Sequence, residues 1–202
     1  MQLYYSSASP FVRKVLVVAA ELGIADRIEK ITAAPGPVQR DASVVARNPL
    51  GQVPTLVTDE GHPLFDSRVI CEYLDSGWGE GRIFPPSGPD RWRALREQTV
   101  GDGLLDAAIL VRYELLLRPE VLRWEAWKEG QLAKIACCLE TIEAGAAEWV
   151  ERVDIGTITI ACALGYLDFR FPDLPWRKTC PQAAQNFAAF ARRPSMLASA
   201  PA

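Results

Sequence analysis

Three short segments in the first third of the chain contain residue types that could bind a charged small molecule. The first is Ser6-Ser7-Ala8-Ser9-Pro10, followed by Phe11-Val12-Arg13-Lys14. Ser9 before Pro10 predicts a helix start, because a serine hydroxyl caps free N–H groups and proline is tolerated at the first helical position. Many Ser-Pro pairs do nothing more. A helix start at a sheet edge also favours an anion, and two cations so near the positive helix end suggest that something negative compensates them.

The other two segments are Asn48-Pro49-Leu50-Gly51-Gln52-Val53-Pro54 and Asp66-Ser67. Pro54 cannot donate to a sheet ladder, so we expect it at a strand start or edge, where the neighbouring backbone stays free for a ligand. Asp66-Ser67 precedes Arg68-Val69-Ile70 and predicts another helix start. Its carboxylate and hydroxyl could bind the ammonium and carboxylate of an amino acid. As an isolated pattern, however, it is more often an ordinary helix cap.

Composition excludes several classes of function. The 202 residues contain 22 Lys+Arg against 25 Asp+Glu, and a net charge of −3 gives no electrostatic reason to expect nucleic acid. The most apolar uncharged run, Ile155 to Leu167, is shorter than the roughly 20 residues that cross a bilayer. The first residues lack the basic and apolar stretches of a signal peptide. We therefore expect a cytoplasmic protein with neither a nucleic-acid nor a membrane partner.

Metal chemistry is also not indicated. The five cysteines form neither a Cys-x-x-Cys motif nor paired metal spacing, and His62 is the only histidine. Cys71, Cys137, Cys138 and Cys162 lie in apolar helical patterns, where a free cysteine is usually a small core residue. His62 lies in Glu60-Gly61-His62-Pro63, which is typical of a turn. We predict no metal site.

The predicted secondary structure changes once along the chain, between Gly77 and Pro89, from alternating strands and helices to helices alone. This segment is rich in glycine and proline, which mark a connection. We predict a first domain over 1–77, a linker over 78–89 and a helical domain over 90–202. The first domain should be a small mixed sheet with helices on its faces. Its predicted elements are strands at 3–5, 28–32, 55–57 and 64–65 and helices at 10–22 and 67–74. The predicted helices of the second domain are 90–117, 120–147, a central buried helix at 155–167, and 182–192.

Together these segments resemble the glutathione S-transferase family along essentially the whole chain. The residues that carry the resemblance are Ser9-Pro10-Phe11-Val12-Arg13-Lys14, Asn48 to Leu56, Asp66 to Leu74, Asp154-Ile155-Gly156-Thr157, and Ala161 to Arg170. Their order and spacing make the match specific. The resemblance implies an α/β thioredoxin-like N-terminal domain, an all-α C-terminal helical bundle and a homodimer.

The resemblance also implies how glutathione would be held. Val53 would precede a cis-proline, Pro54, and pair through its backbone with the cysteinyl part of the peptide. Asp66 and Ser67 match the pair that holds the γ-glutamyl end. Three further residues would lie toward the glycyl carboxylate: Gln39, Arg40 and Gln52.

Ser9 occupies the place where omega-like relatives carry cysteine, with Ser7 as its rival. Its hydroxyl would donate a hydrogen bond to the glutathione sulfur. A hydrogen bond to a charged partner contributes about 1.5–3 kcal/mol, enough to lower a thiol pKa from ~8.5 to roughly 6.5–7.5. The thiolate is the reactive form. The absence of cysteine at position 9 argues against chemistry through a protein mixed disulfide.

The implied activity is conjugation of the glutathione thiolate to hydrophobic electrophiles, as in detoxification. The family places the apolar pocket for the electrophile near Phe11, Ile109, Arg112 and Tyr113, whereas Tyr166 is more typical of core. Two alternatives remain: glutathione-dependent reduction of peroxides or disulfides, and a catalytically silent ligand-binding protein of the same fold. One departure from the family pattern concerns the buried helix, whose capping box is inverted, with Asp154 first and Thr157 three residues later. Because aspartate also caps, we expect the helix to persist.

Overall fold

The computed structural model describes residues 1–149 and 151–201. The chain forms two compact units, Met1–Gly88 with Arg192–Ala202, and Pro89–Ala191. The predicted ranges placed everything after residue 89 in the helical domain. In the structure, the segment from Arg192 onward instead groups with the first unit, because a short helix in it packs on the first helix of the chain.

The first unit alternates strands and helices. Its elements are β1 (Gln2–Tyr5), α1 (Pro10–Glu21), β2 (Glu29–Thr32), α2 (Ala42–Val45), β3 (Thr55–Val57), β4 (Pro63–Leu64), α3 (Ser67–Trp78) and, from the end of the chain, α9 (Pro194–Ala198). The described residues form a sheet in the order β2-β1-β3-β4, with β1 parallel to β2 and the other pairs antiparallel. The predicted mixed sheet is confirmed.

The core of this unit lies between the sheet and helices α1 and α3. Leu3 and Leu56 face each other across β1 and β3 and are fully buried. Along α1, buried Val12 and Val15 recur at helical spacing, as one apolar face requires. Gly23 ends this helix with φ +73, a backbone conformation that costs glycine little. The start of α1 is therefore fixed against a packed sheet.

Helix α9 is anchored to both ends of α1. The Arg13 guanidinium donates to the Met196 carbonyl at 3.1 Å, and Arg193 makes two hydrogen bonds of 2.8 Å to the Glu21 carboxylate. The Ser195 hydroxyl donates to the same carboxylate. The hydrogen bonds from Arg193 hold the pKa of Glu21 below its ordinary value, against the opposing effect of burial.

The second unit is mostly helical. Its helices are α4 (Gly88–Leu116), α5 (Glu125–Ala144), α6 (Ile155–Arg170), α7 (Trp176–Thr179) and α8 (Pro181–Phe190). Every residue from 155 to 167 is buried, so the predicted central helix is confirmed.

The inverted capping box at the start of α6 also forms. Asp154 Oδ1 accepts the Thr157 N–H at 3.0 Å, and Thr157 Oγ1 accepts the Asp154 N–H at 3.1 Å. Arg152 Nε donates to Asp154 at 2.9 Å, and its Nη2 lies 2.5 Å from Glu97 on α4. The carboxylate and the backbone N–H of Asp154 are therefore both paired within the protein.

Several predicted boundaries are wrong. The single helix predicted over 120–147 is a 3₁₀ turn (Glu120–Leu122), then α5, then a second 3₁₀ turn (Ala146–Trp149). Residues 119–124 are exposed, so no buried face supports a helix there, and the Trp124 N–H donates to Glu114 instead. Helix α3 runs four residues beyond its predicted end. The short helices α2, α7 and α9 were not predicted, because one turn shows no periodicity.

No helix in the described ranges is long and apolar enough to cross a membrane. Among the same residues, no three His, Cys, Asp or Glu side chains come together as ligands for a metal ion.

Candidate functional site

The start of α1 is capped by Ser9, as predicted. Its Oγ accepts the Val12 N–H at 3.3 Å, and its backbone N–H donates to the Ser6 carbonyl at 3.1 Å. Ser9 is half-buried, whereas Ser7 is exposed. Across residues 1–149 and 151–201 the Ser9 hydroxyl proton has no acceptor. The cap can therefore hold the helix and still donate one hydrogen bond to a ligand.

The structure accounts for Arg13 and Lys14 without the bound anion that the sequence suggested near the start of α1. The Arg13 guanidinium reaches the Met196 carbonyl, and Lys14 is fully buried with its ammonium 5.7 Å from the centre of the Phe11 ring. Both side chains therefore serve packing within the first unit, and that expectation is corrected.

The loop before β3 is stabilised by hydrogen bonds of a buried side chain, Asn48. Asn48 is 1% exposed, and its side-chain amide donates to the Gln52 carbonyl at 3.1 Å and to Thr55 Oγ1 at 2.9 Å. Its amide oxygen accepts the Leu50 N–H at 3.0 Å. Gly51 has φ +64, which a side chain would strain. The sequence pattern indicates this loop but not that Asn48 is its centre.

The Val53–Pro54 peptide bond is cis, as the resemblance implied. Neither the N–H nor the C=O of Val53 makes a hydrogen bond to any residue that the structure describes. Because backbone groups of half-buried residues are normally paired, an unpaired N–H and C=O on one residue form a docking edge for an extended peptide.

The start of α3 presents the predicted acidic pair. Asp66 is exposed and its Oδ1 accepts the Arg68 N–H at 2.8 Å. Ser67 is 3% exposed, and its hydroxyl has no hydrogen-bond partner within the described ranges. One oxygen of Asp66 thus caps the helix, and the other oxygen and the serine hydroxyl can bind a ligand.

The three residues assigned to the glycyl carboxylate lie near the same loop. Arg40 donates to the Pro49 carbonyl at 2.6 Å, and its guanidinium occupies the space beside Gly51. Gln39 and Gln52 are exposed. Arg40 therefore holds the loop that carries Val53, a positioning contact that sequence reasoning missed because the two residues show no shared motif.

The family model described as "Glutathione S-transferase, N-terminal domain" matches residues 8–76. The uncharacterized GST-like protein YibF of Escherichia coli (strain K12) is 36% identical over 174 residues, covering 84% of this chain and 83% of its own. This chain belongs to the glutathione S-transferase family.

Solved structures of glutathione transferase family members agree. One from Pseudomonas fluorescens Pf-5, with bound glutathione, is 45% identical, with a TM-score of 0.97 over 100% of this chain and 98% of that one. A second, with bound S-(propanoic acid)-glutathione, is 44% identical, with a TM-score of 0.93 over 100% of this chain and 99% of that one. The predicted fold class, a thioredoxin-like α/β domain followed by a mostly helical part, is confirmed.

The residues expected around the second substrate of a transferase lie in different units. Phe11 is half-buried on α1, and Ile109, Arg112 and Tyr113 are half-buried on α4. Their assembly into one pocket remains a prediction. Tyr166 is 5% exposed and packs edge-on against Phe171, with ring centres 6.5 Å apart. His62 lies in the turn between β3 and β4, where its carbonyl accepts the Thr58 N–H.

Proposed function

We propose that this transferase family member conjugates the thiolate of glutathione to hydrophobic electrophiles. The observation that supports this most directly is the unpaired backbone of Val53 beside cis-Pro54. An N–H and a C=O on one residue match the C=O and N–H of the cysteinyl unit of glutathione, so two antiparallel hydrogen bonds would fix that unit. Solved relatives bind glutathione and a sulfur-substituted glutathione, which supports the same ligand here.

The remaining contacts follow from charge and hydrogen-bonding capacity. Asp66 would accept the γ-glutamyl ammonium, and the Ser67 hydroxyl would donate to its carboxylate. Gln39, Arg40 and Gln52 would lie toward the glycyl carboxylate. The contact of Arg40 with the Pro49 carbonyl leaves other guanidinium N–H groups for this role.

Ser9 would supply the chemistry by donating its spare proton to the glutathione sulfur. That hydrogen bond favours the thiolate, which attacks the electrophilic carbon; a C–S bond forms and the leaving group departs with the bonding electron pair. Ser9 stays a donor throughout and forms no covalent bond. We also propose a cytoplasmic homodimer, for which elution at the monomer volume at micromolar concentration would be contrary evidence.

Titration calorimetry with glutathione, followed by conjugation assays with 1-chloro-2,4-dinitrobenzene, tests the proposal. We expect glutathione to bind at micromolar to low millimolar concentration and the conjugate to form faster than in buffer. Parallel assays with a peroxide and a mixed disulfide measure the alternative reductions, which a serine at position 9 disfavours. Binding without any turnover would indicate a silent ligand-binding protein, and no binding at all would refute the glutathione site.

A further inference from the structure

A cluster of two arginines and two tyrosines lies within the helical unit, on α4 and α6. Arg112 and Tyr113 come from the C-terminal part of α4, and Tyr166 and Arg170 come from the last turns of α6. Arg112 acts electrostatically on both Tyr166 and Arg170, and Tyr113 acts on Tyr166, so the four side chains share one neighbourhood.

The two guanidinium groups lack the partners that such groups normally have. Neither Arg112 nor Arg170 forms an ion pair or a hydrogen bond with any residue in 1–149 or 151–201. Arg170 Nε is buried without an acceptor. Burial and the positive charge of Arg112 both lower the pKa of Arg170, whereas Tyr166 opposes them. Two half-buried cations that repel each other are costly unless an anion joins them.

Tyr166 adds a proton donor beside the two arginines. Its side chain is 95% buried by area, since only 5% is exposed, yet its hydroxyl has no hydrogen-bond partner in the described part of the chain. The hydroxyl oxygen is not among the buried unpartnered side-chain atoms, so it is open to a ligand. Burial raises the pKa of Tyr166, so at neutral pH its hydroxyl is a proton donor rather than an anion.

The Arg170 guanidinium also stacks on an aromatic ring. Its guanidinium carbon lies 3.7 Å from the centre of the Phe169 ring, which is the distance of a stacked pair. Stacking covers a face of the guanidinium and leaves its edge free for a carboxylate, which accepts two parallel N–H bonds. A simpler role, compensation of the negative C-terminal end of α6, would explain the position of Arg170 but not the unpartnered Arg112 and Tyr166.

We propose that Arg112, Arg170 and Tyr166 form a carboxylate-binding site, and that the second substrate of this protein carries a carboxylate group. The identification of the ligand as the second substrate rests on the proposed transferase function; the anion site itself does not. The sequence assigned Arg112 to an apolar pocket and Tyr166 to core, and the site gives both a polar role.

A pair of substrates that differ only in charge tests this proposal on the full chain. 4-Chloro-3,5-dinitrobenzoate and its neutral amide share one ring and one leaving group, and each rate is divided by its uncatalysed rate with glutathione. We expect kcat/KM to favour the carboxylate by about 10- to 100-fold, the range of a charge-assisted hydrogen bond. Arg112→Gln and Arg170→Gln should each lower kcat/KM for the carboxylate more than for the amide and so remove most of this preference.

Matched variants separate charge from folding. Arg96→Gln removes an exposed arginine from α4 and should leave the preference intact, whereas Arg170→Lys should keep part of it and Tyr166→Phe should weaken it. An unchanged Tm and an unchanged affinity for glutathione show that a variant is folded. Equal wild-type rates for the acid and the amide, or a preference that survives both glutamine variants, would overturn the proposal.

Direct binding distinguishes this proposal from the transferase function. Unreactive 3,5-dinitrobenzoate and 3,5-dinitrobenzamide are titrated into the wild type and Arg170→Gln by calorimetry. If neither chloro compound is conjugated, the transferase function fails, while selective binding of the benzoate that Arg170→Gln abolishes still supports the anion site. If the benzoate does not bind, or binds no better than the amide, the anion site is refuted whatever the enzyme conjugates.

Discussion

The starts of α1 and α6 are both capped by a polar side chain, yet one is open and the other is closed. Asp154 is 7% exposed, its carboxylate accepts from Thr157 and Arg152, and its backbone N–H donates the reciprocal hydrogen bond of the capping box to Thr157 Oγ1. Ser9 is half-buried, and within the described part of the chain its hydroxyl oxygen accepts one 3.3 Å hydrogen bond while its proton has no acceptor. A capping side chain whose donors and acceptors are all paired within the protein stabilises the fold. A capping side chain that keeps an unpaired donor can also bind a ligand.

Replacement of Asp154 should produce the largest loss of stability. Asp154→Ala removes the cap of a buried helix and leaves the partly buried Arg152 with fewer acceptors, so we expect a loss of about 2–3 kcal/mol in the free energy of unfolding. Urea denaturation measures it. The affinity for glutathione should not change in the folded fraction. A loss of affinity without a loss of stability would reverse the assigned roles of the two caps.

Replacement of Ser9 should affect the ionisation of the glutathione thiol more than the stability of the fold. Ser9→Ala should raise the pKa of bound glutathione by the equivalent of about 1.5–3 kcal/mol, while stability falls by only about 0.5–2 kcal/mol. The thiolate absorbs near 240 nm, so a pH titration of the complex measures the change.

Two variants sharpen this test. Ser9→Asp keeps a cap for Val12 but offers no proton and places a negative charge near the sulfur, so stability should hold while the thiol pKa rises. Ser7→Ala serves as the matched serine control and should leave the titration unchanged. If Ser7→Ala shifts the thiol pKa and Ser9→Ala does not, Ser7 is the activating residue.

The closed start of α6 also leaves no room for an added methyl group. A Cβ on Gly156 would lie 2.5 Å from Glu97 Oε2 and 3.0 Å from the Ala94 carbonyl oxygen, whereas a Cβ on Gly103 of α4 would meet nothing within 4 Å. We expect Gly156→Ala to destabilise the protein by about 1–2 kcal/mol, while Gly103→Ala stabilises it by about 0.5–1 kcal/mol. Thermal unfolding compares the two. Equal shifts in Tm would contradict this account of the packing.

At the C-terminal end of α1, the Glu21 carboxylate is held by Arg193 and Ser195. The stability that this contact provides should depend on pH. Because the folded state lowers the pKa of Glu21, its stabilisation is present above the ordinary carboxyl pKa and is lost as pH falls through the lower folded value. Glu21→Gln should cost about 1 kcal/mol at pH 7, given that Arg193 is partly exposed, and less as the pH falls below the ordinary carboxyl pKa toward 3. Urea midpoints at the two pH values measure this difference; a deficit that is constant with pH would exclude the ion pair as its cause.

The sequence predicted features that are encoded locally. Ser9-Pro10 as a helix start, the Asp154–Thr157 box and the apolar run at 155–167 each depend on neighbours within a few residues. The resemblance added the cis bond at Pro54, which no composition or periodicity indicates. The contact of Arg40 with Pro49 and the hydrogen bonds of Asn48 follow from how one loop folds, so the site loop was located but its internal support was not.

Features that depend on distant partners were missed or misread. Arg13 was interpreted as a sign of a bound anion, but it contacts Met196 on a helix too short to show a period. The break before α5 depends on Glu114 accepting from Trp124, which no local pattern reveals. Arg112 and Arg170 lie on separate helices, and only packing brings them together.

The attachment of α9 to α1 has a consequence for biosynthesis. Arg193 follows Glu21 by 172 residues, and ribosomes add about 5–20 residues per second, so translation separates the two partners by about 10 to 30 s. Throughout that interval the nascent N-terminal unit carries an uncovered patch around α1. Its assembly is completed only after the intervening helices have been made.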